Sequence, residues 1–123
     1  MRHRVKKVNL GRTNSHTVAL LKNLVTSIIL FEKVKTTEAK AKAAKPQVEK
    51  LITLARAVES GKKEKREAIR EFNRQLFDEN ASRKLLEELG KRYADRTSGF
   101  TRTTHLGNRS GDAAPIVQIE LIN

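Results

Sequence analysis

The segment SHTVALLKNLVTSIILF, residues 15–31, holds a long apolar run that decides the fold class. Five of its apolar residues recur at spacings of three and four, namely Leu21, Leu24, Val25, Ile28 and Ile29. This spacing predicts a helix with a wide apolar stripe, which Ala19, Leu20, Leu30 and Phe31 extend. A helix of this kind usually lies at the centre of a fold. We therefore expect the other elements to pack around residues 15–31.

The residues before this helix, MRHRVKKVNLGR, contain five cations and no acid. The charged and titratable residues are Arg2, His3, Arg4, Lys6, Lys7 and Arg12. The segment has too few apolar residues for an amphipathic helix, and Gly11 would end one. A solvated tail is the ordinary fate of such a terminus, but the absence of acids favours a polyanion-binding arm. We predict an extended basic arm over residues 1–13 and a single compact α+β domain over residues 14–123.

Composition also favours a polyanion as the partner. The chain has 123 residues, with 26 Lys and Arg against 14 Asp and Glu, so its net charge is +12. It has no cysteine, which excludes disulfides and thiolate zinc sites and fits a reducing compartment. Lys22, Asn23 and Thr26 interrupt the apolar run, which argues against a signal peptide and a membrane span. An organellar transit peptide is disfavoured because residues 15–31 look like core.

The middle of the chain predicts one short strand and three helices. Lys33–Thr36 is the strand, and a second helix follows, with Val48, Leu51, Ile52, Ala55 and Val58 on its core face. Pro46 either kinks this helix or divides it in two. A third helix spans 64–77, and a fourth spans 81–89, with Asn80 as its N-cap and a left-handed Gly90 as its end. Side-chain caps are also expected at Thr13, Asn14 or Ser15 and at Thr36 or Thr37.

The last third predicts a hairpin. Residues 100–106 are rich in β-formers, the following loop contains Gly107, Gly111 and Pro115, and IVQIELI alternates apolar and polar residues. The predicted architecture is α+β: helix, short strand, three helices and a two-stranded C-terminal hairpin. A small mixed sheet packs on the helices, and an extended basic arm precedes them.

The residues do not predict an enzyme or a metal site. Ser15 and His16 are adjacent, so they would not face each other, and no orienting acid is near them. His3, His16 and His105 have no paired spacing. The loop sequence GNRSGD lacks the Lys-Ser/Thr ending of a phosphate-binding loop. We expect no catalytic residue, no metal, no cofactor and no small-molecule substrate.

A second basic region runs from Lys91 to Arg109 and includes Arg96, Arg102 and His105. On a strand over 100–106, Arg102, Thr104 and Leu106 would share one face, opposite His105. An ordinary exposed strand explains this region about as well as a binding face. Four of the five aromatic residues are expected in the core, so recognition of the nucleic-acid backbone is favoured over base stacking.

Several motifs together resemble the bacterial large-subunit ribosomal protein seventeen family. They are MRHRVKKVNLGR-TNSHTVALLKNL, KVKTTEAKAKAAKPQVEKLITLA, GKRYADRTSGFTR and GDAAPIVQIEL, in this order over nearly the whole chain. The resemblance implies a non-enzymatic constituent of the large ribosomal subunit in the bacterial cytoplasm. It implies binding to large-subunit ribosomal RNA near the polypeptide exit region, beside neighbouring large-subunit ribosomal proteins. It also implies a structural role for Asp112 and Pro115 in the closing loop.

The predicted RNA-contacting residues come from this resemblance and from charge. Motif match supplies Arg2, His3, Arg4, Arg12, Ser15, His16, Lys35, Lys40, Lys42 and Arg102. Charge and position add Lys6, Lys7, Asn14, Lys22, Arg96, His105 and Arg109. A nucleoid DNA-binding protein is the first rival, although no recognition helix is evident. An RNA-processing enzyme is the second, and it lacks a catalytic cluster.

Overall fold

The apolar segment forms the first helix of the structure. A computed structural model describes residues 10–122, and it places helix α1 at Asn14–Phe31. Leu21, Val25, Ile28 and Ile29 are buried, as the spacing predicts. Phe31, the last residue of α1, is 70% exposed, although Ile28 and Ile29 of the same turn are buried. The segment therefore forms the predicted central helix, except at its final residue.

The remaining elements follow the predicted order. They are β1 Lys33–Thr37, α2 Glu38–Glu59, α3 Lys65–Gln75, α4, β2 Thr101–Asn108 and β3 Pro115–Leu121. Helix α4 spans residues 79–92 and has three parts: Glu79–Lys84, a π-helical turn Leu85–Leu89, and a last turn Gly90–Arg92. The predicted α+β class is thus confirmed over the described residues. The predicted arm lies mostly in residues 1–9, outside them.

The sheet is antiparallel throughout, so the expectation of a mixed sheet is wrong. The strand order is β1-β3-β2, with β3 in the centre. The short loop between β2 and β3 requires that pair to be antiparallel. The direction of β1 has no such local cause, because three helices separate it from β2. Its pairing is decided by the packing of those helices.

One face of the sheet completes the hydrophobic core. Val117, Ile119 and Leu121 alternate along β3 and are all buried. They join the buried face of α2, which is built from Ala41, Ala44, Val48, Leu51, Ile52 and Ala55. The other face of the sheet carries polar side chains and remains outside this core. This division gives the protein one covered and one open sheet face.

Helix α2 is continuous through Pro46, so the segment is not divided into two helices. The side-chain caps expected at the starts of α1 and α2 are absent. Thr13 and Thr37 hold the N-cap positions, but neither side chain makes a capping hydrogen bond. At α1 the hydroxyl of Thr17 instead donates to the Thr13 carbonyl at 3.0 Å.

Both predicted boundaries of α4 are wrong. Asp78 is the N-cap, and its carboxylate accepts a hydrogen bond from the Asn80 N–H at 2.8 Å. Gly90 does not end the helix, because it has right-handed helical geometry with φ −59°. A Cβ atom added at Gly90 would lie 2.9 Å from the Ala55 carbonyl oxygen of α2. Glycine is required there by the close approach of two helices.

We predict that Gly90→Ala destabilises the protein. A glycine-to-alanine change inside a helix ordinarily stabilises it by up to about 1 kcal/mol. Here the added methyl group meets the backbone of Ala55, so we expect the free energy of unfolding to fall by about 1–3 kcal/mol. Urea denaturation measures the change. Glu88→Ala, at an exposed position of the same helix, should stay within about 0.5 kcal/mol of the wild type. A neutral or stabilising Gly90→Ala would contradict the close approach.

Candidate nucleic-acid interface

The first turn of α1 presents polar side chains and free backbone N–H groups to solvent. Asn14, Ser15 and His16 are exposed, and this turn contains no acid. The chain enters the helix through a turn in which Leu10 and Gly11 have positive φ angles of 52° and 70°. The guanidinium of Arg12 donates to the Leu10 carbonyl at 2.6 Å and closes this turn. A helix start with this composition is compatible with a phosphate group.

The open face of the sheet brings basic residues from separate elements together. One row across the strands consists of Lys33, Glu120 and Arg102, and the next consists of Lys35, Gln118 and Thr104. We call these six residues the outer sheet face. The carboxylate of Glu120 lies 3.8 Å from Lys33 Nζ and 2.8 Å from an Arg102 guanidinium nitrogen. The hydrogen bond from Arg102 lowers the pKa of Glu120 below its usual value.

The alternation predicted for β2 is confirmed up to His105. Arg102 and Thr104 are on the outer sheet face, while Thr103 and His105 pair with buried residues of β3 on the opposite face. A bulge between His105 and Gly107 interrupts the register, so Leu106 does not continue the row of Arg102 and Thr104. A bulge re-aims the side chains beyond it.

A small groove places two other predicted residues side by side. His105 and Thr103 of β2, together with Lys42 and Lys45 of α2, line a concavity of about 240 Å³. Glu38, also in this groove, lies 3.7 Å from Lys42 Nζ. Lys40 lies in the first turn of the same helix and is half-buried. The start of α2 therefore joins the C-terminal hairpin in one basic region.

The loop of the hairpin is closed by an ion pair. The guanidinium of Arg109 donates to both carboxylate oxygens of Asp112, at 3.1 and 2.5 Å. Asp112 also accepts a hydrogen bond from the Ala114 N–H at 3.2 Å. The hydrogen bond from Arg109 lowers the pKa of Asp112 to about 2. Asp112 thus has a structural contact in this loop, and Arg109 contributes to the same contact.

Sequence reasoning missed the residues that anchor α4 to the rest of the fold. Glu32, directly after α1, has φ 62°, a conformation that usually favours glycine or asparagine. Its carboxylate accepts hydrogen bonds from Lys84 Nζ, at 2.9 Å, and from Arg92. Lys84 also donates to the Leu30 carbonyl at 3.0 Å. The hydrogen bond from Arg92 is the main reason that the pKa of Glu32 falls to about 2, from an ordinary value of 4.5. No local pattern could have indicated contacts across more than fifty residues.

The end of α4 is held by another cation that the sequence did not single out. Arg56 of α2 donates to the carbonyls of Tyr93 and Ala94, at 2.8 and 3.2 Å. Arg96, which was predicted to contact RNA, lies exposed a few residues further on, in the segment before β2. The charged residues of this region thus include structural and solvent-facing members.

The aromatic residues are distributed differently from the expectation. Phe72, Tyr93 and Phe100 are buried, but Phe31 and Phe77 are 70% and 55% exposed. The prediction that four of the five lie in the core is therefore wrong. Each of the two exposed rings is at or beyond a helix end, where the periodicity of the helix no longer determines burial. Lys22 of α1, another predicted contact, has its Nζ 4.4 Å from the centre of the Phe77 ring.

The structure describes only some of the predicted RNA-contacting residues. Arg2, His3, Arg4, Lys6 and Lys7 lie outside the described residues. Among residues 10–122, no group of three or more His, Cys, Asp and Glu side chains is arranged to hold a metal ion. Over the same residues, no helix is both long and apolar enough to cross a membrane.

Comparisons with known proteins point to one family. A family model described as Ribosomal protein L17 matches residues 20–122. The large ribosomal subunit protein bL17 of Novosphingobium aromaticivorans is 43% identical over 123 residues, covering 100% of this chain and 83% of that protein. The protein of the same name from Carboxydothermus hydrogenoformans is 45% identical over 113 residues, covering 92% of this chain and 96% of its own length. The bL17 of Desulfosudis oleivorans is 42% identical over 123 residues, and this chain spans 56% of its length.

We predict that Glu32→Gln lowers the melting temperature near neutral pH and not in strong acid. The pKa of Glu32 is lower in the folded protein, about 2, than its ordinary value of 4.5. Its contribution to stability is therefore complete above about pH 5 and is lost as the pH falls towards 2. Thermal unfolding at pH 7, 5, 3 and 2 should show a deficit of a few degrees that shrinks below about pH 4.5.

Glu59→Gln, at an exposed acid near the end of α2, is the matched control and should leave the melting temperature unchanged at pH 7. A deficit for Glu32→Gln that is the same at every pH would mean that the carboxylate charge is not the stabilising feature.

Proposed function

Because the chain belongs to the ribosomal protein L17 family, a family of structural and non-enzymatic ribosomal proteins, we propose that it binds large-subunit ribosomal RNA near the polypeptide exit region. Its relatives are named as proteins of the large ribosomal subunit, and we assign this chain to the same particle. The proposed partners are that RNA and neighbouring large-subunit proteins. The proposed location is the cytoplasmic ribosome.

The observation that carries this proposal is the separation of charges along and across the chain. Residues 1–31 contain six cations and no acid. In the described part of the chain, the acids Glu32, Glu120 and Asp112 each lie against one or two cations that hold the fold together. Three of the fourteen acids are thus placed in contacts within the fold, while the entry to α1 contains no acid. Such an arrangement favours an external polyanion.

The outer sheet face supplies the second proposed contact. Lys35 lies on the edge strand β1, and the other residues of its row, Gln118 of β3 and Thr104 of β2, are neutral. Lys33 and Arg102 flank this row around one shared acid, so the face keeps a net positive charge. A flat surface with such charges suits the phosphate backbone of structured RNA and does not require reading of base edges. The basic arm and the outer sheet face would then give the protein two separate contacts with the RNA.

The binding proposal is tested by competition. Purified full-length protein should bind large-subunit ribosomal RNA in filter binding, and unlabelled ribosomal RNA should displace it better than duplex DNA of equal phosphate concentration. In lysate, the chain should sediment with large subunits and remain there through a high-salt wash. Equal competition by duplex DNA and absence from washed large subunits would favour a DNA-binding protein.

We predict that Lys35→Ala weakens RNA binding by reducing its electrostatic part. Removing one phosphate contact should lower the slope of log Kd against log salt by about 0.7–0.9. Lys62→Ala is the control, because Lys62 is exposed in the loop after α2, away from the outer sheet face. Filter binding from 50 to 300 mM salt measures both slopes. A loss of slope of equal size in the two variants would indicate general charge attraction without a defined face.

The proposed location near the polypeptide exit is tested by RNA cleavage directed from one introduced thiol. The chain has no cysteine, so Ser110→Cys, in the exposed hairpin loop, creates a unique thiol. An iron chelate on this thiol should cleave ribosomal RNA within the segments that surround the polypeptide exit, in reconstituted large subunits. Cleavage confined to other segments would contradict the location and leave RNA binding intact.

A further inference from the structure

One exposed aromatic residue is held in place by contacts on its backbone. Phe77 lies between α3 and α4, directly after the buried Leu76, yet its side chain is 55% exposed. Its N–H donates to the hydroxyl of Thr26, at 3.2 Å, and Thr26 donates in turn to the Lys22 carbonyl, at 2.8 Å. Thr26 itself is 7% exposed. The ring is therefore displayed from a fixed point on the side of α1.

A cation accompanies this ring. Lys22 Nζ lies 4.4 Å from the centre of the Phe77 ring, within the range of a cation–π contact. Val18, one turn before Lys22 on α1, is 58% exposed and extends the apolar part of the surface. Asp78 is the adjacent acid, and its carboxylate caps α4 through the Asn80 N–H. At 1.5 Å per residue, Lys22 is about 12 Å along the helix from Asn14, where the basic segment enters.

We propose that Phe77 and Lys22 form a binding site for one unpaired nucleotide of RNA, with the base stacked on the ring and the ammonium group beside its phosphate. This inference rests on the proposed function and names a contact type that composition argued against. The flat base of a nucleotide matches the Phe77 ring, and its negatively charged phosphate matches the ammonium group of Lys22. An apolar protein surface would match Phe77 and Val18 but would bring no negative charge to the ammonium group of Lys22.

The other exposed ring lacks this combination. Phe31 lines an open concavity together with the acids Glu32 and Glu120 and the cations Lys33 and Arg102. Both cations contact Glu120, and among the described residues no cation lies over the Phe31 ring. Phe31→Leu therefore removes an exposed aromatic ring and keeps both cations of the outer sheet face, so it serves as the control.

The first test compares variants that separate stacking from hydrophobic contact. Phe77→Leu keeps an apolar side chain and removes the π face, so the Kd of the full-length protein for large-subunit ribosomal RNA should rise about five- to tenfold. The salt slope should remain unchanged, because no charge is lost. Lys22→Ala should instead lower the slope by about 0.7–0.9. Phe31→Leu should leave both quantities within twofold of the wild type.

The second test uses a direct reporter. The chain contains no tryptophan, so Phe77→Trp gives a single tryptophan that can be excited separately from Tyr93 and retains the ability to stack. Its Kd should match the wild type, and its fluorescence should be quenched by a single-stranded octa-adenylate. Inorganic triphosphate, which supplies charge without a base, should not quench it.

The outcomes distinguish failure of this inference from failure of the proposed RNA-binding function on which it rests. A wild-type protein that fails to bind ribosomal RNA would overturn both. Normal RNA binding by Phe77→Leu, or equal losses in Phe77→Leu and Phe31→Leu, would overturn the nucleotide site alone. Normal RNA binding together with poor incorporation of Phe77→Leu into large subunits would also overturn it and would assign the surface to a neighbouring protein.

Discussion

The junction at Glu32 is the constraint on which the arrangement of the other elements depends. Its backbone carbonyl accepts a hydrogen bond from the Leu121 N–H at the end of β3, at 2.9 Å. Its carboxylate binds Lys84 and Arg92, which lie on α4. One residue in a left-handed conformation therefore joins the end of α1, the central strand and a distant helix. The conformational cost of that geometry for a non-glycine residue is offset by these contacts.

The last part of α4 also depends on close helix packing. Gly90 brings the last part of α4 against the backbone of α2 at Ala55, and Arg56 of α2 then reaches the carbonyls that follow α4. A side chain at position 90 would move the two helices apart and displace Arg56 from Tyr93 and Ala94. Helix α4 thus packs closely against α2 because Gly90 has no side chain, and it is joined to Glu32 by ion pairs.

The same contacts explain how a strongly basic protein keeps its fold. Three of the fourteen acids are used at junctions: Glu32 at α4, Glu120 across the sheet and Asp112 in the hairpin loop. Within residues 10–122, unpaired positive charge is present at the entry to α1, at Lys35 on the outer sheet face and at Lys22 beside Phe77. Cations therefore serve two roles: some pair with these three acids within the fold, and others are available to the proposed RNA partner.

The sequence by itself determined the apolar helix at 15–31, the order of helices and strands, the alternation of β2 and β3, and the excess of basic residues at the start of the chain. These features follow from local periodicity and composition, which do not depend on distant residues. Only the tertiary structure decided the direction of β1, the helical geometry of Gly90, the contacts of Glu32 and the exposure of Phe77. Each of these depends on groups that are far apart in sequence, such as Thr26 and Phe77 or Glu32 and Arg92. These groups approach each other because whole helices pack together, and a local sequence pattern does not predict such packing.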